Sequence, residues 1–66
     1  MPVPELGLPS RITNILMSIG MRNVRDILEI YDKESMLAIP GLGKATCEKI
    51  LINLEDKGFD VRHLRW

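Results

Sequence analysis

The sequence predicts an all-α fold, a compact bundle of four short helices. Three observations lead there. Ile12, Ile15, Leu16 and Ile19 recur at i, i+3, i+4 and i+7, and the same spacing returns in Val24, Ile27, Leu28 and Tyr31 and in Cys47, Ile50, Leu51 and Leu54. Each set makes one apolar face of an amphipathic helix. No stretch of useful length alternates apolar and polar residues, so no strand is predicted. Glycine, proline and short polar residues fall where helices of these lengths should start and stop.

Residues 1–8 are proline-rich and predict an extended N-terminal segment, with residues 9–66 forming the helical domain. Pro9 suits the first turn of the first helix, and Gly20 its left-handed C-terminal cap. Asn23 can cap the second helix, with Asp26 three residues on to reach back to the backbone. Asp32 can cap a short third helix through Met36 and Leu37. That helix should end before Pro40, because the residue ahead of a proline is driven out of helical conformation. The fourth helix runs from Lys44 to about Lys57, and Gly58 closes it. In the tail, Val61, Leu64 and Trp66 are available to fold back on the core. No linker or low-complexity run divides the 66 residues, which make one domain.

Composition excludes several classes. Hydrophobic residues make up 45% of the chain, too many for a disordered segment. The single cysteine, Cys47, forms no internal disulfide, and with the lone His63 it makes no metal cluster, which points to a reducing, cytoplasmic setting. No apolar run approaches membrane-spanning length, and the start, Met1 to Glu5, has neither a basic nor an apolar signal-peptide region. No constellation for catalysis is visible, and Cys47 lies on an apolar stripe as a small core residue. No catalytic residue, cofactor or metal is expected. Nine Lys and Arg balance nine Asp and Glu. A protein that coats nucleic acid unselectively carries a basic excess, so any DNA contact here must be small and local.

The most informative stretch is Ile39-Pro40-Gly41-Leu42-Gly43-Lys44-Ala45-Thr46. Pro40 stops a helix. Gly41 and Gly43 permit positive φ and close approach of another backbone. Leu42 is the apolar peg of the turn. Lys44 and Thr46 open a helix whose first N–H groups lack internal partners, so a DNA phosphate fits there without base recognition. This is the signature of a helix-hairpin-helix. A tight glycine-rich connection that binds nothing would carry the same glycines, whereas a nucleotide-binding loop would need a preceding strand and the P-loop pattern.

On the first helix, Arg11, Asn14 and Ser18 share a polar flank, with Ile15 between that flank and the core. Arg and Asn at i and i+3 suit a DNA groove, and a solvated helix face has the same pattern. The stripes that begin at Ile12 and Cys47 lie 35 residues apart, which pairs Arg11 with Thr46 and Asn14 with Lys49. Two equivalent helices would suit a pseudo-two-fold ligand such as a duplex, although any two amphipathic helices share this spacing.

The run Leu8-Pro9-Ser10-Arg11-Ile12-Thr13-Asn14-Ile15-Leu16, followed by Ile27-Leu28, Leu37, Pro40, Leu42-Gly43-Lys44, Ile50 and Gly58, resembles the C-terminal domain of the alpha subunit of bacterial RNA polymerase. The resemblance covers nearly the whole chain. It implies a non-catalytic, DNA-binding transcription module that docks in the minor groove of A/T-rich upstream promoter DNA, in the bacterial cytoplasm and associated with the nucleoid. The DNA-binding residues it implies are Arg11, Asn14, Ile15, Gly41, Gly43, Lys44, Thr46 and Lys49. It also implies contacts with sigma factor through Glu5, and with transcription activators through Asp32, Lys33, Glu34 and Leu37. The sequence departs from the family at Ala45, where a second lysine is usual, and at Lys49, where an acid is common. Its tail before the tryptophan is shorter. The large assembly domain is absent, which fits an excised domain as well as a freestanding relative.

The residues alone leave two further readings open. One is a protein-interaction module whose hairpin is purely structural. The other is a general helix-hairpin-helix DNA-binding domain of repair or uptake type. Beside the segment implied to meet activators, Asp26, Glu29, Asp32 and Glu34 outweigh Arg25 and Lys33 and give an acidic patch; on the residues alone it is a solvated face.

Overall fold

The computed structural model describes residues 1–65. Four helices, α1 (Ser10–Ser18), α2 (Val24–Leu28), α3 (Lys33–Leu37) and α4 (Lys44–Asp56), are framed by 3-10 turns at Val3–Leu6 and Arg62–Leu64. Trp66, expected to fold back on the core, lies outside the described residues. The fold is all-α as the sequence predicts, with one isolated antiparallel bridge, Pro2 to Asn23, among the described residues.

Local chemistry sets the helix ends. Asn23 and Asp26 form a reciprocal capping box at the start of α2: the Asn23 side chain accepts from Arg25 N–H at 3.2 Å, and Asp26 accepts from Asn23 N–H at 3.1 Å. Asp32 caps α3 by accepting from Ser35 N–H at 2.8 Å. The longer helices end on glycines. Gly20 and Gly58 adopt φ 89 and 91°, and the residue after each donates back to the helix: Met21 N–H to Leu16 C=O at 2.9 Å, Phe59 N–H to Leu54 C=O at 3.0 Å. Both are Schellman motifs, which satisfy carbonyls that a helix end would otherwise leave open.

These ends explain where the apolar stripes stop short. Ile19, expected on the buried face of the first helix, is 44% exposed, because it is the last residue before the Gly20 turn and Met21 packs against the core in its place. Tyr31, expected on the second stripe, is 86% exposed. The helix ends at Leu28 so that Asp32 can start α3, and in the link between them Ile30 takes the inward position. The third stripe, on α4, is buried as expected, with Cys47, Ile50, Leu51 and Leu54 at 1% exposure or less. Burying a side chain of this size contributes roughly 1.5–3 kcal/mol.

The proline-rich start, expected to be extended, instead winds into a turn at Val3–Leu6. Pro2 C=O accepts from Glu5 N–H at 3.0 Å, and Val3 and Leu6, three residues apart, both point into the core. Prolines fix φ near the 3-10 value and lack an N–H that the first turn would leave open in any case. The turn packs on α1. It is tied to the loop before α2 by Val3 N–H to Arg22 C=O at 3.0 Å and Val24 N–H to Met1 C=O at 2.8 Å. Asn53 of α4 also reaches it, donating from Nδ2 to Leu6 C=O at 2.8 Å. At the other end, α3 packs against α4 and the C-terminal turn, where Val61 and Leu64 are buried as expected.

Candidate nucleic-acid interface

The link between α3 and α4 is a tight hairpin. Leu42 N–H donates to Ile39 C=O at 3.2 Å, closing a four-residue turn with Pro40 and Gly41 in the middle. Proline at the first central position and a glycine at φ 89° in the second define a type II turn, which a side chain in place of Gly41 would strain. Leu42 is 5% exposed and pegs the turn to the core. Gly43 is the N-cap of α4, and its carbonyl accepts the first helical bond from Cys47 N–H at 2.9 Å.

The hairpin turn lies against α1. A Cβ placed on Gly41 would stand 3.1 Å from Ile15 Cδ1 and 3.6 Å from its Cγ1. Arg11 lies one turn before Ile15 on the same helix face, and Asn14 adjoins it on the exposed side. The two halves of the site read from sequence, the polar flank of α1 and the hairpin that opens α4, are therefore neighbours in space. Arg11 and Asn14 are exposed, and Ile15 is half-buried.

The helix N-termini fall into two kinds. The short helices α2 and α3 carry side-chain caps and acids in their first turns, Asp26 and Glu34, as the helix dipole favours. Neither α1 nor α4 has a side-chain cap or an acid in its first turn. Instead Arg11 is the second residue of α1 and Lys44 the first of α4. A cation there opposes the positive end of the dipole, an arrangement that an incoming anion relieves. Both cation-bearing ends belong to the helices joined by the Ile15–Gly41 contact.

Thr46 is half-buried in the first turn of α4, and Lys49, one turn further on, is exposed. Ala45, where the family usually has a lysine, is exposed. The residues expected to meet proteins lie elsewhere on the fold. Glu5 is exposed on the N-terminal turn, while Asp32, Lys33, Glu34 and Leu37 run along α3, with Leu37 37% exposed. Asp32 is already engaged: the Ser35 N–H it accepts holds its carboxyl below the usual value. Asp26 likewise accepts from two backbone N–H groups, those of Arg22 and Asn23. Half of the acidic patch read from sequence is thus committed to capping, which leaves Glu29 and Glu34 as its outward charges. The ion pair with the clearest effect lies on the C-terminal segment, where Arg62 forks onto Asp60 and holds it down to about 2.

Sequence reading overlooked Asn53. Its signal was an amide three residues after Ile50, at the edge of the buried stripe of α4. Its Nδ2 ties the N-terminal turn to α4, and its Oδ1 is buried without a hydrogen-bond partner among the described residues. Among the described residues no group of three His, Cys, Asp or Glu could hold a metal ion, and no helix is long and apolar enough to cross a membrane.

An all-α domain whose glycine hairpin packs against its first helix, with a cation in the first turn of that helix and of the helix the hairpin opens, defines a helix-hairpin-helix module. The family model for the C-terminal domain of the bacterial RNA polymerase alpha chain matches residues 1–56, and the protein belongs to this family. Its relatives include the alpha subunit of DNA-directed RNA polymerase from Thermus thermophilus, 37% identical over 62 residues, which are 94% of this chain and 19% of the relative. The same subunit from Desulforudis audaxviator is 33% identical over 63 residues, 96% of this chain and 20% of the relative. The sequence therefore spans about a fifth of the length of the curated relatives it matches. No solved structure matches it significantly.

Proposed function

We propose that the protein is a non-catalytic transcription module of the bacterial cytoplasm that docks on A/T-rich promoter DNA through the minor groove. The observation that carries this reading is the contact of Ile15 with Gly41, which sets the Arg11–Asn14 flank beside the uncapped end of α4. In this reading Arg11 enters the narrow, strongly negative groove of A/T-rich DNA. Asn14 meets base or sugar edges beside it. Gly41 and Gly43 let the hairpin backbone approach the duplex, and Lys44, Thr46 and Lys49 hold phosphates with the first amides of α4. Ile15 touches the sugar-phosphate backbone between the two. Glu5 on the N-terminal turn and the α3 segment with Asp32, Lys33, Glu34 and Leu37 then face sigma factor and activators, leaving one surface for DNA and others for proteins. Membership of the alpha-subunit family supports this division.

The experiment is a chemical-shift titration with A/T-rich and G/C-rich duplexes, followed by fluorescence anisotropy on Arg11→Ala. Arg11 is exposed and off the core, so its loss should leave the melting temperature unchanged while removing most of the preference for A/T-rich DNA. If Arg11→Ala binds A/T-rich DNA as the parent does, the minor-groove reading fails and the hairpin is structural.

A further inference from the structure

Gly41 differs from the other glycines. A Cβ built on Gly7, Gly20, Gly43 or Gly58 would meet nothing within 4 Å. At Gly41 its three nearest neighbours would all be atoms of Ile15, at 3.1, 3.6 and 3.8 Å. The Gly41 backbone thus lies against the Ile15 side chain of α1, beside the core that Leu42 enters. Gly41 is two residues from the N-cap of α4, and Ile15 is one turn from Arg11. The contact therefore joins the helix that carries the α1 flank to the segment that leads into α4.

We propose that Ile15 and Gly41 are a spacer pair, positioning residues that fix the separation of the two DNA-binding arms and so set the preference for a narrow groove. The inference rests on the reading that these arms bind DNA, and it assigns the pair a role beyond touching the duplex. A Cβ at position 41 would push Ile15 Cδ1 by a few tenths of an ångström, because 3.1 Å is tighter than ordinary carbon contacts. The push falls on the residue one turn from Arg11, at the seam between α1 and the hairpin. Ile15→Val removes Cδ1 and leaves only the two ordinary contacts.

The test is a double-mutant cycle on Gly41→Ala and Ile15→Val, with Gly41→Asn as a second glycine variant because asparagine tolerates positive φ better than alanine. Anisotropy on A/T-rich and G/C-rich duplexes gives the preference, and thermal melting gives stability. Gly41→Ala and Gly41→Asn should each lower the A/T preference by a factor of about five, at a reduced melting temperature. Adding Ile15→Val should restore most of the preference while the melting temperature stays low, since the strain of positive φ remains. A purely structural role would not separate the two readouts. No recovery in either double variant, or a full parental preference in both single glycine variants, overturns the proposal. A parent without A/T preference overturns the DNA reading itself, and the spacer with it.

Discussion

A neutral protein that binds a polyanion must do so with few charges, and the number can be read from the interface. Three cations border the proposed interface: Arg11 at the start of α1, Lys44 at the start of α4, and Lys49 further along α4. Each phosphate neutralised contributes about −0.9 to the slope of log affinity against log salt, so the slope should be about −2.7. Raising monovalent salt from about 50 to 200 mM should then weaken binding about fortyfold. Lys49→Ala should flatten the slope to about −1.8, a weakening of only about twelvefold over the same range. Arg25 is the control, also an exposed arginine, on α2 and outside the proposed interface. Arg25→Ala should leave the slope unchanged. The assay is fluorescence anisotropy of a labelled A/T-rich duplex at four or more salt concentrations. A slope near zero would remove the phosphate contacts altogether. A slope steeper than about −6 would require a far larger interface than these helices present, and an equal loss on Arg25→Ala would mean unselective attraction.

Two further outcomes test the fold beneath the interface. Cys47 is fully buried and its thiol is pushed up by that burial, so a thiol reagent at neutral pH should label it only as fast as the domain opens, with a rate that climbs with denaturant; labelling of the native protein at the rate of a free cysteine would move the α4 stripe off the core. Asp32 has its carboxyl lowered chiefly by the Ser35 N–H, so its cap supports folding fully above the unfolded value of about 3.9 and is lost as pH falls through the lower folded value. Asp32→Asn caps without titrating, so its melting temperature should fall less than the parent's between pH 5 and pH 2; parallel acid limbs would show that the cap does not hold α3.

The helix count and the capping residues were legible because each follows from a rule of local chemistry. Asn23, Asp26 and Asp32 cap as their types and spacing require, and Gly20 and Gly58 end helices where the apolar period stops. The misplacements came where tertiary context decides. Tyr31 continues a helical period on paper, yet the backbone has to leave α2 to reach the Asp32 cap, and Ile30 is the residue that finds the core. The proline-rich start reads as extended because prolines interrupt longer helices, but a single 3-10 turn costs little once Val3 and Leu6 can both be buried. At the proposed interface, the chemistry of Arg11, Asn14 and Lys44 was visible residue by residue. That the hairpin lies against α1 was not, because it depends on Ile15 meeting a glycine that is 26 positions away in the sequence.

Zero net charge does not make this surface electrically uniform, and the helix ends show why. Acids are concentrated from Asn23 to Leu37, where Asp26, Glu29, Asp32 and Glu34 face Arg25 and Lys33. Two of those acids spend their oxygens on backbone N–H groups, so the caps of α2 and α3 are satisfied from within the protein. The ends of α1 and α4 have no such side-chain caps and carry cations instead. Capping them with Asp or Ser at positions 9 and 43 would be the ordinary way to gain stability, about 1 kcal/mol at position 9 and only a few tenths at position 43, where glycine is already a fair N-cap. Position 43 instead holds a glycine and position 9 a proline, neither of which offers a side-chain acceptor. In the proposed reading these two ends are where an anion from outside would bind. A duplex supplies such anions on both sides of its minor groove, the arrangement that two adjoining uncapped helix ends are suited to meet.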